Sequence, residues 1–255
     1  MDIPKNPLVL VTGSAGRLGQ AALRGLLHAG CRVRGLDRVA SANVTEEYLG
    51  NLSDISLLAR ATTGVDAIVH LAATPDDDEA PGWFVDELVP NNIVGLYHLM
   101  EAARTSGVKR LVLASSGQVN WEQQYEGRIP IRAQDPITPR HWYAATKVFM
   151  ESAGFSFAQK YGMTILAVRL GWCPRKGQAR EIADNPTAQD LYLSPGDAGR
   201  FFARAALATI SPGFHILYAA SRPIRKPIFE LEPAMELLQW EPQDQWPTDA
   251  ENFNP

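Results

Sequence analysis

The sequence predicts an α/β fold in which a parallel sheet is covered by helices on both faces. Short apolar segments rich in β-branched residues alternate with segments of helical periodicity through roughly the first two thirds of the chain. Such runs are typical of strands buried on both faces, and their alternation with helices predicts a doubly wound parallel sheet. The chain has 255 residues and is 45% hydrophobic, which suffices for one large core.

The elements are expected in the following order. Strands are predicted at 8–11, 31–36, 66–71, 109–114 and 163–170. Helices are predicted from residue 18 and over about 142–161, and 92–103 is predicted to be part of a long amphipathic helix. After Gly171, prolines and glycines punctuate a loop-rich region in which two shorter helices, at about 197–209 and 230–239, flank a strand at 214–218. Residues 1–171 are therefore expected to form the core. Residues 172–255 are expected to form a small covering lobe of the same globular unit.

A glycine-rich turn joins the first strand to the first helix, and its sequence is Gly13-Ser14-Ala15-Gly16-Arg17-Leu18-Gly19. In this context Gly13 permits the tight turn, Gly16 lets a pyrophosphate approach the backbone, and Gly19 lets the helix pack on the strand. The N–H groups that begin the helix then face the phosphates. The pattern predicts the dinucleotide-binding turn of a Rossmann fold, with Gly13, Ala15, Gly16, Arg17, Leu18 and Gly19 as cofactor contacts. A plain βα turn rich in small residues is the alternative.

The second predicted strand ends at an acidic residue, Asp37. A carboxylate at this point can accept hydrogen bonds from the adenosine ribose hydroxyls and would repel a 2′-phosphate. The next residue, Arg38, could instead accommodate that phosphate. Asp37 favours NAD over NADP as the cofactor.

Tyr143 and Lys147 are four residues apart in a predicted helix, so their side chains emerge on one face. A phenol is a poor base at neutral pH because its pKa is near ~10, and a neighbouring ammonium favours the phenolate. Lysine also has the reach to hold a nicotinamide ribose. Ser115 and Ser116 end a predicted strand, where ligands bind in parallel sheets, and a serine hydroxyl there can orient a substrate oxygen. The set predicts hydride transfer between a nicotinamide and a hydroxyl-bearing carbon.

These residues resemble those of the extended short-chain dehydrogenase/reductase superfamily, the NAD-dependent epimerase/dehydratase family. The resemblance covers almost the whole chain and implies that Ser116, Tyr143 and Lys147 are catalytic. It also implies further cofactor contacts at Leu71, Ala72, Ala73 and Asn92, and at Asn51 and Leu52 for the adenine. The family usually has an aspartate where Asn51 stands, but an asparagine carbonyl can still accept from the adenine amino group. A homodimer is implied by the same resemblance.

Within that superfamily the chain is similar to the compact uronate dehydrogenases, which oxidise the anomeric hydroxyl of a free sugar acid to a lactone. The similarity implies a sugar or sugar acid as substrate. It fails at two positions, where Gly117 replaces an asparagine and Trp172 replaces a serine. Candidate substrate contacts are Thr74, Gly117, Trp172, Arg175 and Arg180, the two arginines as possible carboxylate ligands.

Composition excludes other classes of partner. The formal net charge of −4 gives no basic footprint for nucleic acid, and no apolar run is long enough to cross a membrane. Two cysteines, Cys31 and Cys173, have no metal-ligand spacing, and the acidic run 76–79 is interpreted as a solvated loop rather than a metal site. With no apolar leader at the start, we expect a cytoplasmic protein without a metal.

Three functions remain open from the sequence. The first is an NAD-dependent dehydrogenase of a small sugar or sugar acid. The second is a nucleotide-sugar epimerase or dehydratase that holds NAD tightly, which would need a larger lobe. The third is a non-catalytic NAD-sensing protein, against which Ser116, Tyr143 and Lys147 argue.

Overall fold

The computed structural model describes residues 5–75, 82–175 and 177–248. Its centre is a seven-stranded sheet in which every paired strand is parallel. The strands are β1 (Leu8–Thr12), β2 (Arg32–Asp37), β3 (Glu46–Leu49), β4 (Ala67–His70), β5 (Arg110–Ser116), β6 (Thr164–Leu170) and β7 (Gly213–Ala219), in the order β3-β2-β1-β4-β5-β6-β7. The chain builds the sheet outwards from β1 in two directions: β2 and β3 lie on one side of β1, and β4 to β7 lie on the other. The predicted doubly wound α/β fold is confirmed.

Helices cover both faces of this sheet. They are α1 (Arg17–His28), α2 (Ile55–Thr62), α3 (Leu96–Thr105), α4 (Glu122–Tyr125), α5 (Trp142–Tyr161), α6 (Ala179–Ala183), α7 (Pro186–Leu191), α8 (Pro195–Leu207) and α9 (Glu232–Leu238). One apolar core joins α1, α8 and α9 to the sheet, and a second joins α2, α3 and α5 to the other face. Successive residues of β1 alternate between the two cores, as strand geometry requires.

A π-helix (Phe84–Gly95) runs directly into α3, so 92–103 is part of a longer helix, as predicted. Pro90 lies inside it and lacks the N–H that a regular helix would use. A π-helical turn inside a longer helix is uncommon and is often found at functional sites. Here it carries Asn92, which is buried.

The region after Gly171, assigned from the sequence to a covering lobe, contributes to the layered core as well. β7 pairs with β6 in the main sheet, and α8 packs closely on α1. A Cβ added to Gly25 would lie 2.1 Å from the Gly199 carbonyl oxygen, so the two helices cross with their backbones almost in contact. The other segments, with α6 and α7, remain as candidates for the covering lobe. The acidic run 76–79 lies outside the described residues.

Candidate active site

A cavity of about 880 Å³ opens at the carboxyl ends of the central strands. This is the edge at which parallel α/β sheets bind ligands, beside the point where the strand order reverses. The glycine turn and the carboxyl end of β5 both line this cavity. The lining residues are Gly13, Gly16, Arg17, Leu18, Gly19, Leu71, Ala73, Pro75, Ser115, Ser116, Gln118, Trp121, Tyr143, Leu170, Gly171, Trp172, Cys173, Arg175, Gln178, Glu181, Leu191 and Phe229.

The glycine turn is shaped by close backbone contacts. Gly13 has φ +70, and a Cβ there would lie 2.6 Å from the Ala72 backbone nitrogen. A Cβ on Gly19 would lie 2.0 Å from the Gly13 carbonyl oxygen. The turn therefore needs glycine at both positions, and α1 begins immediately after Gly16 at the cavity wall. A dinucleotide pyrophosphate fits this arrangement, since backbone N–H groups at a helix start bind anions.

Asp37 lies at the end of β2 and is tied to the turn. Its carboxylate accepts a hydrogen bond from the Ala15 N–H at 3.0 Å and another from the Arg38 N–H at 2.6 Å. Of the two residues predicted to contact the adenine, Asn51 is exposed and Leu52 is buried. Asp37, Asn51 and Leu52 lie outside the lining of this cavity. Their cofactor contacts stay a prediction.

Tyr143 and Lys147 occupy the first turns of α5, with the tyrosine at the cavity and the lysine buried behind it. The Lys147 Nζ lies 5.3 Å from the centre of the Tyr143 ring and donates to the Ala114 carbonyl oxygen at 2.8 Å. Ser116 ends β5 at the same cavity, where its Oγ accepts a hydrogen bond from the Gln118 N–H at 3.2 Å. The structure thus brings the three predicted catalytic residues together.

Asn92 connects the helix segment to the base of α5. Its side-chain oxygen accepts from the Thr74 N–H at 2.8 Å, and its amide donates to the Thr74 carbonyl at 3.0 Å and to the Thr146 hydroxyl at 3.2 Å. The Thr146 hydroxyl in turn donates to the Tyr143 carbonyl at 2.7 Å. Asn92 therefore supports the backbone around Tyr143. The Thr74 hydroxyl accepts from the Asn91 amide at 2.8 Å, and Thr74 is outside the cavity lining.

His70 is a buried group that sequence reasoning did not single out. Its Nδ1 is 2.7 Å from the Thr12 hydroxyl. Burial, with a smaller effect from the charge of Lys147, lowers the pKa of His70 to about 3. The imidazole is therefore neutral at physiological pH and adds no positive charge beside Lys147.

Ser115 and Ser116 have separate roles in the structure. The Ser115 hydroxyl donates to the Glu151 carboxylate at 2.6 Å, and Glu151 forms a buried ion pair with Arg169 at 2.8 Å. Arg169 also donates to the Tyr218 hydroxyl at 3.0 Å. Burial opposes its charge, but the hydrogen bonds and charge of Glu151 and the contact with Tyr218 outweigh burial, so the pKa of Arg169 is raised. This network was missed because each member also fits an ordinary strand or helix pattern.

The predicted substrate residues divide into two groups. Trp172 and Arg175 line the cavity, whereas Arg180 is an exposed residue of α6 and Gly117 is buried beneath the wall. Two backbone hydrogen bonds hold Trp172 in place. Its N–H donates to the Leu191 carbonyl oxygen at 2.7 Å, and its carbonyl oxygen accepts from the Leu193 N–H at 2.8 Å. Sequence reasoning missed four further lining residues. Trp121 and Gln178 directly precede α4 and α6, Glu181 lies in α6, and Phe229 lies between β7 and α9.

Arg17 extends from the glycine turn across the cavity towards the loop after β6. Its guanidinium donates to the Pro174 carbonyl oxygen. Burial lowers the pKa of Arg17, an effect that Cys173 opposes and the nearby Arg175 reinforces. Two guanidinium groups therefore line one cavity, which suits an anionic ligand.

Comparison with known proteins decides the family. The model of the NAD dependent epimerase/dehydratase family matches residues 9–172. This chain belongs to that family. The matched range extends from β1 to Trp172, two residues after the end of β6, and so contains the glycine turn and the predicted catalytic residues.

Several known proteins are similar to this chain over most of its length. An L-arabinose 1-dehydrogenase (NAD(P)(+)) from Haloferax volcanii is 30% identical, with 79% of this chain and 83% of that protein covered. A uronate dehydrogenase from Pseudomonas syringae pv. tomato is 31% identical, with coverages of 84% and 74%. The crystal structure of a glucuronic acid dehydrogenase from Chromohalobacter salexigens superposes with a TM-score of 0.75 at 29% identity, covering 94% of this chain and 85% of that one.

The described residues also bear on metal and membrane binding. Among the residues described, no group of three or more histidine, cysteine or acidic side chains could hold a metal ion. Both cysteines are free thiols, and burial raises the pKa of each to about 11. In the same parts of the chain, no helix is long and apolar enough to cross a membrane.

Proposed function

We propose that this chain is an NAD-dependent oxidoreductase that takes a hydride from the hydroxyl-bearing carbon of a free sugar or sugar acid. The observation that carries the proposal is the single cavity that Ser116 and Tyr143 share with the glycine turn, with Lys147 buried behind the tyrosine. The names of the similar dehydrogenases support a sugar substrate. NAD, when bound on the glycine turn, supplies the hydride acceptor.

The protein's own residues handle the proton. The Ser116 hydroxyl orients the substrate hydroxyl, and the Tyr143 phenolate oxygen accepts its proton as general base. The positive Lys147 Nζ, 5.3 Å from the ring centre, favours the phenolate by Coulomb attraction. Asn92 and Thr146 hold the Tyr143 backbone in place, so that the phenol stays directed at the substrate.

A panel of free aldoses, aldonic acids and hexuronic acids with NAD tests this function. NADH should accumulate with at least one of these sugars. Because Gly117 and Trp172 replace polar side chains of the uronate enzymes, we expect kcat/KM for glucuronate and galacturonate to stay below ~10⁴ M⁻¹s⁻¹, the low end of normal efficiency.

The same assay distinguishes the epimerase alternative. An epimerase regenerates its cofactor, so it would convert a nucleotide sugar without net NADH. If the chain converted a nucleotide sugar in this way and formed no NADH from any free sugar, it would be an epimerase and the proposed dehydrogenase function would be wrong. Rapid turnover of both uronates would leave the dehydrogenase assignment standing and show that the two substitutions do not matter.

Asp37 should make the enzyme prefer NAD over NADP. Its carboxylate stands at the end of β2, tied to the turn through Ala15, where it would repel a 2′-phosphate. The test is to measure kcat/KM with NAD and with NADP. The Asp37→Ser variant should show a smaller preference for NAD than the native chain. A tenfold preference of the native chain for NADP would mean that Arg38 decides the choice.

We further propose a cytoplasmic homodimer formed through α3 and α5. Exposed apolar side chains lie on these helices and on the π-helix before them, with Val94, Tyr97 and Phe149 at 40, 51 and 37% exposure. Light scattering should give twice the chain mass, and Tyr97→Asp should lower it. Ile224→Asp, which changes an equally apolar exposed site elsewhere, is the control. A monomeric native chain would refute the dimer.

A further inference from the structure

His70 ends β4 on the face of the sheet that α5 covers. Successive β4 residues alternate between the two cores, and Ile68, two residues before His70, belongs to the core that α2, α3 and α5 share. The imidazole therefore lies on the same face as Lys147. The strand partner of His70 is Leu113, and the carbonyl oxygen of the next residue, Ala114, accepts the Lys147 hydrogen bond at 2.8 Å. The imidazole and the lysine head group thus lie at the same end of the sheet.

Only one ring nitrogen of His70 has a partner among the described residues. Nδ1 lies 2.7 Å from the Thr12 Oγ1, which also accepts a hydrogen bond from the Ala72 N–H at 3.4 Å. Nε2 is buried and forms no hydrogen bond with any group in the described parts of the chain, and the residue is 1% exposed. A buried polar atom of this kind is uncommon and calls for a functional explanation.

The charge of Lys147 decides which nitrogen carries the hydrogen. If Nδ1 accepted from Thr12, Nε2 would hold a hydrogen with no acceptor, in the field of an ammonium. If Nδ1–H donates to Thr12, Nε2 keeps its lone pair, and this negative end of the ring is attracted by the ammonium. Lys147 acts on the ring at this range, because it adds to burial in lowering the pKa of His70. The tautomer with hydrogen on Nδ1 is therefore favoured.

The other charged groups around the imidazole are paired or exposed. Helix α5 also carries Tyr143 and Glu151, and Glu151 is paired with Arg169 at 2.8 Å. The acids of the π-helix, Asp86 and Glu87, are exposed. Strand β1 has no charged residue, and the one in β5 lies at its opposite end. A change at the imidazole therefore acts on the lysine and, through it, on the tyrosine.

We propose that His70 is a positioning residue for the catalytic base: its neutral ring donates from Nδ1 to Thr12 and attracts the Lys147 ammonium with the Nε2 lone pair. This inference rests on the proposed function. The lysine stem is flexible, and the hydrogen bond to Ala114 holds it at one point only. The second attraction keeps the ammonium near the Tyr143 ring, where it favours the phenolate.

Asparagine and glutamine at position 70 separate the roles of the two nitrogens. The asparagine amide reaches the place of Nδ1 and keeps a partner for Thr12, whereas the glutamine amide oxygen reaches the place of Nε2. In His70→Asn the ammonium is held less well and the phenolate is less favoured. The pH at which kcat/KM is half-maximal should therefore rise by ~0.5 unit or more, a fraction of the roughly one to three units that a directly paired charge produces. KM for NAD should also rise.

Two comparisons make this shift specific. His70→Gln should have a pH curve close to that of the native chain, because it restores the acceptor. His215→Asn makes the same chemical change on β7, far along the chain from the predicted catalytic residues, and should leave the curve unchanged. If the variants at position 70 fail to fold, Thr12→Val gives the test from the other side, because it removes the group that fixes the tautomer and should raise the same pH value. Combined with a folded His70→Asn, it should add no further shift.

Nitrogen-15 NMR of the native chain reads the tautomer without turnover. Bare and protonated ring nitrogens have different chemical shifts, and the His70 signals are those missing from a variant at position 70. Nδ1 should carry the hydrogen and Nε2 should be bare, and both signals should stay constant over roughly pH 5–8, because the pKa of His70 is lowered to about 3. Hydrogen on Nε2 would overturn the proposal.

The kinetic outcomes separate this inference from the proposed function. Equal shifts in His70→Asn and His70→Gln, or no shift in either, would make His70 a structural residue and overturn the proposal while NADH formation stands. No NADH from any free sugar would overturn the proposed function, and the NMR tautomer would then decide the arrangement of His70 by itself.

Discussion

Replacing Tyr143 by phenylalanine should remove nearly all turnover while NAD binding stays close to that of the native chain. The ring remains against Lys147, but the oxygen that accepts the substrate proton is gone. General-base groups contribute ~10²–10⁴-fold, so kcat should fall by that factor. Steady-state NADH formation gives kcat, and quenching of tryptophan fluorescence by NAD gives the dissociation constant.

Two companion variants make the result interpretable. Tyr161→Phe removes a hydroxyl at the other end of α5 and should keep full activity. Lys147→Ala should weaken both NAD binding and turnover, because the lysine faces the tyrosine and has the reach to hold the cofactor ribose. If Tyr143→Phe kept a kcat within threefold of native, Tyr143 would not be the base.

Removing the Glu151 carboxylate should destabilise the fold more than most single changes. Arg169 is 1% and Glu151 4% exposed at the side chain, so Glu151→Leu leaves a buried guanidinium without its counter-charge. Breaking a buried ion pair by removing one partner costs about 3–5 kcal/mol. Urea unfolding should show that loss in the free energy of unfolding.

The design includes its own controls. In the double variant Glu151→Leu/Arg169→Leu no buried charge is left, and most of the lost stability should return. Glu101→Leu breaks a partly exposed pair with Arg104 and should change stability by less than about 1 kcal/mol. A loss below about 1 kcal/mol for Glu151→Leu would mean that the pair is already solvated or replaceable.

Local signals were sufficient where the physics is local. The helix from Trp142 to Tyr161 was predicted with its observed bounds, because the chain after it passes through Gly162 in the left-handed region at φ +63. The turn at Gly13–Gly19 was predicted from an equally local signal, because the strand, the glycines and the helix follow one another directly in the sequence. Both features depend on residues that are neighbours in the sequence.

Long-range packing decided what the sequence left open. The strand near 214–218 was placed in a covering lobe, yet its hydrogen bonds to β6 bring it into the main sheet. Gly117 was interpreted as a lost polar contact, but its partner is Phe229, which lies far along the chain. The direction of the Ser115 hydroxyl, towards Glu151, likewise depends on a residue of another element.

The π-helix before α3 makes the site sensitive to chain length as well as to residue type. Downstream of it, Leu96 and Leu99 are fully buried and fix the rotation of the helix. Deleting one residue between Asn92 and Leu96 would rotate the Asn92 amide about the helix axis, away from Thr74 and Thr146. Point substitutions at exposed Val94 leave that angle intact. Aligned relatives should therefore vary in sequence here but carry no gaps, and frequent gaps would show that the π-helical geometry is dispensable.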